Sequence, residues 1–283
     1  MFYCIENEFL TAQINDYGAE LHSLKAKADG FEYIWQGDPN VWTGQAPVLF
    51  PIIGRLLDDK YRFNGSEYTM QKHGFARKRP FEVVSCARNE AVFVLRSDAD
   101  TRACYPFDFE LYVKFTLLGK TLHVIHTVVN QTGGEMYFSL GGHPGFNCAM
   151  GDRLEFDKTE SLDTETIDGD SIRLPDKTPV LQGEKSITIT EHIFDRDALI
   201  LSGIRSKAVT LRKASHAHEV RFTFGDVPYL GIWAKPGAPY VCIEPWCGVN
   251  DDRRVRADIS EKDAIQRLPE GGVFDLAYTV EIL

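Results

Sequence analysis

Apolar and polar residues alternate in short runs along most of this chain, and turn residues interrupt them at the roughly 8–12-residue spacing of all-β proteins. A period of two sends successive side chains to opposite faces, so each run can cover a core with one face and meet water with the other. Tyr61-Arg62-Phe63 and Glu67-Tyr68-Thr69 flank Asn64-Gly65, a dipeptide suited to the positive φ values of a type I′ hairpin. Residues 81–97 read as a second hairpin turning at 87–90, residues 107–130 as a third turning at Gly119-Lys120, and residues 209–224 as a fourth turning at 214–217. Further strands are expected at 10–14, 20–26, 136–140, 186–190, 231–233, 240–243 and 276–282. Helical signals are confined to a turn at 39–44 and to 260–268, which opens with a Ser/Glu/Asp cap. Strands do not alternate with long amphipathic helices, which argues against a doubly wound α/β fold. The pattern predicts an all-β chain: one large antiparallel β-sandwich domain over residues 1–283 with few short helices.

Composition narrows the function. The 283 residues are 43% hydrophobic and 25% charged, too apolar for a disordered chain. Against 41 acidic residues stand 31 Lys and Arg, a net charge of −10. Such a chain lacks the cationic footprint of a nucleic-acid binder or a polybasic membrane-surface protein. The first residues carry neither the basic start nor the apolar run of a signal peptide, and no run approaches the roughly 18 apolar residues of a spanning helix. Cys4, Cys86, Cys104, Cys148, Cys242 and Cys247 are scattered without paired spacing. A cytoplasmic chain with reduced thiols is expected.

Several familiar motifs fail on inspection. Gly119-Lys120-Thr121 resembles the tail of a phosphate-binding loop, but Lys114 stands where the first glycine belongs and a strand follows. No Gly-x-Gly-x-x-Gly joins a strand to a helix, and no Gly-x-Ser-x-Gly elbow is present. His216-Ala217-His218-Glu219 has two histidines of one parity, but it lies in the expected turn and Glu219 points the other way. His123 and His126 have opposite parity on one strand, and Cys242 and Cys247 lack a second cysteine pair. No metal and no cofactor are expected.

Four segments are less easily explained by structure alone. Phe50-Pro51-Ile52-Ile53-Gly54-Arg55 is an apolar run closing on Gly-Arg, where an ordinary surface arginine is the plain alternative. His73-Gly74-Phe75-Ala76-Arg77 is a loop whose glycine permits close approach of a ligand. Ser139-Leu140-Gly141-Gly142-His143-Pro144-Gly145-Phe146-Asn147 runs a strand into paired glycines and a pinned histidine, the side chain poised near neutral pH. Tyr240-Val241-Cys242-Ile243-Glu244-Pro245-Trp246-Cys247-Gly248 ends a buried-strand pattern on a carboxylate, a residue seldom buried unless paired or used.

Together Arg55, His73, His143 and Glu244, in these contexts, resemble the aldose 1-epimerase (mutarotase) family, in particular its smaller bacterial branch related to galactose mutarotases. The resemblance runs from Gly18-Ala19-Glu20-Leu21 to Leu268-Pro269-Glu270-Gly271-Gly272. It implies a large β-sandwich holding a sugar in a groove, with His143 as general acid and Glu244 as general base. It places Arg55 and His73 on sugar oxygens, and a substrate-binding aspartate at Asp197 or its neighbour Asp195. Trp246, Phe75 or Phe146 would pack on an apolar sugar face. Ile53 before Gly-Arg, Phe75 after His-Gly and Trp246 depart from the galactose mutarotases, which leaves the sugar open. A hexose is the expected partner, with Arg77-Lys78-Arg79 as a candidate grip on a hexose phosphate. A sugar-binding protein without catalysis is the rival on the same fold; a glycosidase would need a second carboxylate in a comparable motif.

Overall fold

The computed structural model describes residues 1–253 and 258–283. Its pairings are antiparallel throughout the named strands, and most of them belong to a single sheet of 15 strands. That sheet runs from Val48–Leu49 through Leu140–Gly142, Tyr240–Cys247, Tyr229–Trp233 and Leu199–Ser202 to Arg153–Ile167. It continues through Ala208–Arg212, Val220–Thr223, Val273–Ile282, Thr121–Asn130, Phe109–Leu118 and Glu90–Arg96 to Glu82–Cys86. A smaller sheet of Phe2–Glu6, Leu10–Asn15 and Glu20–Ala26 packs on it, with Tyr3 edge-on to Phe93 at 5.5 Å between ring centroids.

The hairpins form where local chemistry favours them. Lys60–Phe63 and Ser66–Thr69 pair around Asn64 and Gly65, whose φ values of 48° and 78° are both positive. Phe109–Leu118 pairs with Thr121–Asn130, and along the first strand Phe109, Leu111, Val113, Phe115 and Leu117 are buried while their neighbours are not. Burying one such side chain contributes about 1.5–3 kcal/mol, so a one-residue slip that exposed the whole row would be prohibitive. Closure into a sandwich is visible between strands far apart along the hydrogen-bonded path. Phe146 meets Phe222 at 5.8 Å, and a Cβ on Gly142 would lie 2.8 Å from the Tyr278 ring.

Four local expectations differ from the structure. Residues 136–140 split at Ser139, so that Met136–Phe138 pairs with Gln266–Leu268 while Leu140–Gly142 enters the large sheet. The helix expected at 260–268 shrinks to a single 3-10 turn at Ile259–Glu261, because Gln266–Leu268 is taken up by that strand pairing. A helix does form at Ala99–Cys104, set by a capping box in which Asp98 accepts from the Thr101 N–H and the Thr101 hydroxyl accepts from the Asp98 N–H. The longest hairpin, Arg153–Ile167 with Arg173–Thr188, is legible in the sequence only at 186–190. Its register shifts and its many exposed polar positions erase the two-residue hydrophobic period. Among the described residues, no helix is long and apolar enough to cross a membrane.

Candidate active site

Strand Tyr240–Cys247 is buried at every position. Its periodicity puts Cys242, Glu244 and Trp246 on one face. The neighbouring chain pairs with it in two pieces. Gly141 sits opposite Trp246, and pairing resumes with Gly145 opposite Cys242. One register therefore spans the gap and sets His143 opposite Glu244. The Ile243 N–H still donates to the Pro144 carbonyl at 3.1 Å, so the backbone stays close through the break. Imidazole and carboxyl meet at 3.2 Å, His143 Nε2 to Glu244 Oε2. The Trp246 indole N–H donates to that same oxygen at 3.1 Å.

The glycines around this pair have a packing reason. A Cβ on Gly141 would lie 3.0 Å from the Trp246 ring, one on Gly231 2.8 Å from it, and one on Gly145 3.0 Å from the Trp42 ring. Gly231 is the residue opposite Glu244 on the other flanking strand. The missing side chains make room for indoles on both sides of the acid–imidazole pair. The sequence marks the pair; the space around it has no local signature.

Both groups line a cleft of about 520 Å³, with Glu244 1% and His143 8% exposed. Burial pushes the Glu244 carboxyl well above the usual carboxylate range, against the smaller opposing effects of the Trp246 hydrogen bond and Lys72. Burial likewise lowers the His143 imidazole to about 3, with Arg77 and Lys72 opposing its protonation further. Both shifts favour the uncharged forms, an arrangement with one exchangeable proton on the carboxyl beside the imidazole.

His73 also lines the cleft and stands edge-on to His143, 5.9 Å between ring centroids. It has a φ of 65°, held by two bonds to one glycine: its N–H donates to the Gly54 carbonyl at 2.8 Å, and its Nδ1 accepts from the Gly54 N–H at 3.2 Å. An accepting Nδ1 leaves the ring proton on Nε2. A Cβ at Gly54 would lie 2.1 Å from Asn250, so only glycine fits there. Asp195, Asp197 and Trp246 line the same cleft, Asp197 at a φ of 73°.

Three residues expected at the sugar are not among those lining the cleft. Arg55 is not among the cleft residues; its guanidinium makes two 2.8 Å bonds to Asp59 and lies 3.6 Å from Asp170. Phe75 is packed in the core against Phe50 and Phe109, and Phe146 is wholly buried. An apolar ring and a bidentate arginine are satisfied by nearer partners than a sugar. Conversely Trp42 and Trp233 line the cleft, at 5.2 and 5.8 Å from the His143 ring, so three of the four tryptophans gather here. Lys72 lines it as well. Nothing local marks these residues, because their strands and loops meet only in the folded chain.

Among the described residues, His143, Cys242 and Glu244 form a group whose ligand-type atoms lie within 4.8 Å of one another. Burial and the neighbouring Glu244 hold the Cys242 thiol well above its usual range. A neutral thiol is a poor metal ligand. The His216–His218 segment lies in a loop, as expected, with the His218 ring stacked 3.8 Å above Phe31.

Residues 1–257 match the aldose 1-epimerase family. The chain is 33% identical over 298 residues to the plasmid-encoded protein LacX of Lactococcus lactis subsp. lactis, covering 99% of this chain and 98% of that one. A galactose mutarotase related enzyme from Lactobacillus acidophilus has the same fold at a TM-score of 0.95 and 32% identity, with 100% of this chain and 97% of that one covered. A galactose mutarotase-like protein from Lactobacillus casei gives the same TM-score of 0.95 and 32% identity over 100% of both chains. With its fold, its facing histidine and glutamate and these relatives in agreement, the chain belongs to the aldose 1-epimerase family.

Proposed function

We propose that this protein is a mutarotase, interconverting the α and β anomers of a hexose, with Glu244 as general base and His143 as general acid. The observation that carries the reading is the pairing of a buried carboxyl and a buried imidazole, 3.2 Å apart, in a cleft walled by indoles. Opening a hemiacetal requires a proton taken from the C1 hydroxyl and one delivered to the ring oxygen. The C1–ring oxygen bond breaks, C1 becomes an aldehyde, rotation about C1–C2 exposes its other face, and reclosure reverses both transfers. A pair that carries one proton suits this cycle. With the proton on His143, Glu244 takes the hydroxyl proton as His143 gives up its own. Afterwards the proton rests on Glu244, the uncharged arrangement that burial favours. Each positioned transfer typically contributes about 10²–10⁴ in rate.

In this reading His73 donates from Nε2 to a sugar oxygen, Asp197 accepts from a hydroxyl, and Trp246 aligns Glu244 while presenting its ring to the sugar. Trp42 and Trp233 supply further apolar face. The six free thiols suit a reducing compartment, which supports a cytoplasmic location. Polarimetry on freshly dissolved α-glucose and α-galactose tests the proposal: the expected result is accelerated approach to the anomeric equilibrium. Sugar binding without acceleration would refute it and leave a carbohydrate-binding protein.

A further inference from the structure

We propose that the sugar carries a phosphate, held by Lys72 and Arg77; the inference rests on the mutarotase reading and names its substrate class. The chain is acidic, at −10, yet Lys72, Arg77 and Lys235 line the cleft with no carboxylate within ion-pair distance among the described residues, and of these Lys72 and Arg77 are partly buried. The Lys72 ammonium donates to the Ser171 hydroxyl at 2.8 Å. Arg77 donates from Nη2 to the Lys72 carbonyl at 2.8 Å, which ties the two residues together, while its Nε is buried and unpartnered. Their neighbours are committed elsewhere: Lys78 to Gln71 at 2.6 Å, Arg79 to Asp98 and Asp100. Glu20, the acid that acts on Arg77, already accepts from the Gln45 and Ala46 N–H groups at 2.8 and 2.9 Å.

A partly buried guanidinium and an ammonium bonded only to a hydroxyl line the same cleft, and both lack a counter-ion. A phosphate supplies the charge and the acceptor oxygens to satisfy both. It must sit away from C1, because an ester there removes the hydroxyl proton that Glu244 takes. Both cations also oppose the protonation of His143. A phosphate dianion between them cancels that field, so the substrate itself favours the proton donor.

The test measures anomer exchange by NMR saturation transfer, using the full chain with glucose, galactose, their 6-phosphates and glucuronate. We expect kcat/KM for a 6-phosphate to exceed that of its parent sugar by about 10²-fold, the scale of two charge-assisted hydrogen bonds. Lys72→Gln and Arg77→Gln should each shrink that ratio about tenfold, with Arg77→Lys recovering part of it. Because Arg77 also braces the Lys72 carbonyl, Lys72→Gln keeps the test usable if Arg77→Gln misfolds. Equal kcat/KM for phosphorylated and parent sugars would overturn the phosphate and leave the mutarotase reading standing. Glucuronate turned over as well as a 6-phosphate would overturn it in favour of a carboxylate. If no sugar is accelerated, the mutarotase reading fails and calorimetric titration decides the grip alone. A 6-phosphate binding at least about tenfold tighter than its parent, with Lys72→Gln removing the difference, supports it; equal binding overturns it.

Discussion

Glu244→Gln separates the catalytic carboxyl from the structural one. Glutamine has the same length and can still accept from the Trp246 indole N–H, now 3.1 Å from Glu244 Oε2. That indole can only donate, so the amide must present its oxygen there, and the position 3.2 Å from His143 Nε2 becomes an acceptor that never takes a proton. The cleft is unchanged in shape, so the loss falls on proton transfer. We expect kcat to fall by about 10²–10⁴, or roughly 3–5.5 kcal/mol of barrier, with KM little altered. Stability should move in the opposite sense, with a pH dependence fixed by the direction of the shift. The folded Glu244 carboxyl lies above its unfolded value of 4.5, so its contribution to stability is complete below pH 4.5 and is lost as the pH rises towards the folded value. Glutamine has no such loss. The variant should therefore gain on wild type above pH 4.5, by at most about 1.4 kcal/mol per pH unit until the folded carboxyl ionises. Polarimetry and thermal melts between pH 4 and 9 measure both effects. A folded variant with near-wild-type mutarotation would eliminate Glu244 as the base, and a melting difference that does not grow with pH would show that the carboxyl is not held protonated by burial.

His143→Asn should lower kcat by a comparable factor of about 10²–10⁴, and the double variant should lose less than the product of the two, since the groups act as one unit; multiplicative losses in polarimetry would contradict the pairing. Gly231→Ala places a Cβ 2.8 Å from the Trp246 ring, so it should cost about 1–3 kcal/mol of stability by overpacking and lower kcat by displacing the indole from Glu244; denaturant melts and rates that match wild type would refute this account of the glycine. Arg55→Ala should leave kcat/KM close to wild type because its guanidinium is bound to Asp59 outside the cleft. A large kinetic loss would return Arg55 to the sugar.

Features that depend on near neighbours are written directly into this chain. Alternation along 109–118 and 121–130 places one row of side chains in the core, and Asn64-Gly65 turns its hairpin, because both depend on residues one to three positions away. The segments around His143 and Glu244 are visible for the same reason: each puts a titratable group into an otherwise apolar or glycine-rich run. The polar hairpin at 153–188 is not, since its irregular register leaves no period to read. The site itself is a product of long-range folding. Strand pairing sets His143 opposite Glu244 across a register linking segments about a hundred residues apart, while the packing of strands and loops brings Trp42, Trp233 and Lys72 to the same cleft and leaves Arg55 and Phe75 with nearer partners. A short motif records which groups a strand carries. Which of them face one another depends on strand pairing and packing over long separations, and no local pattern encodes that.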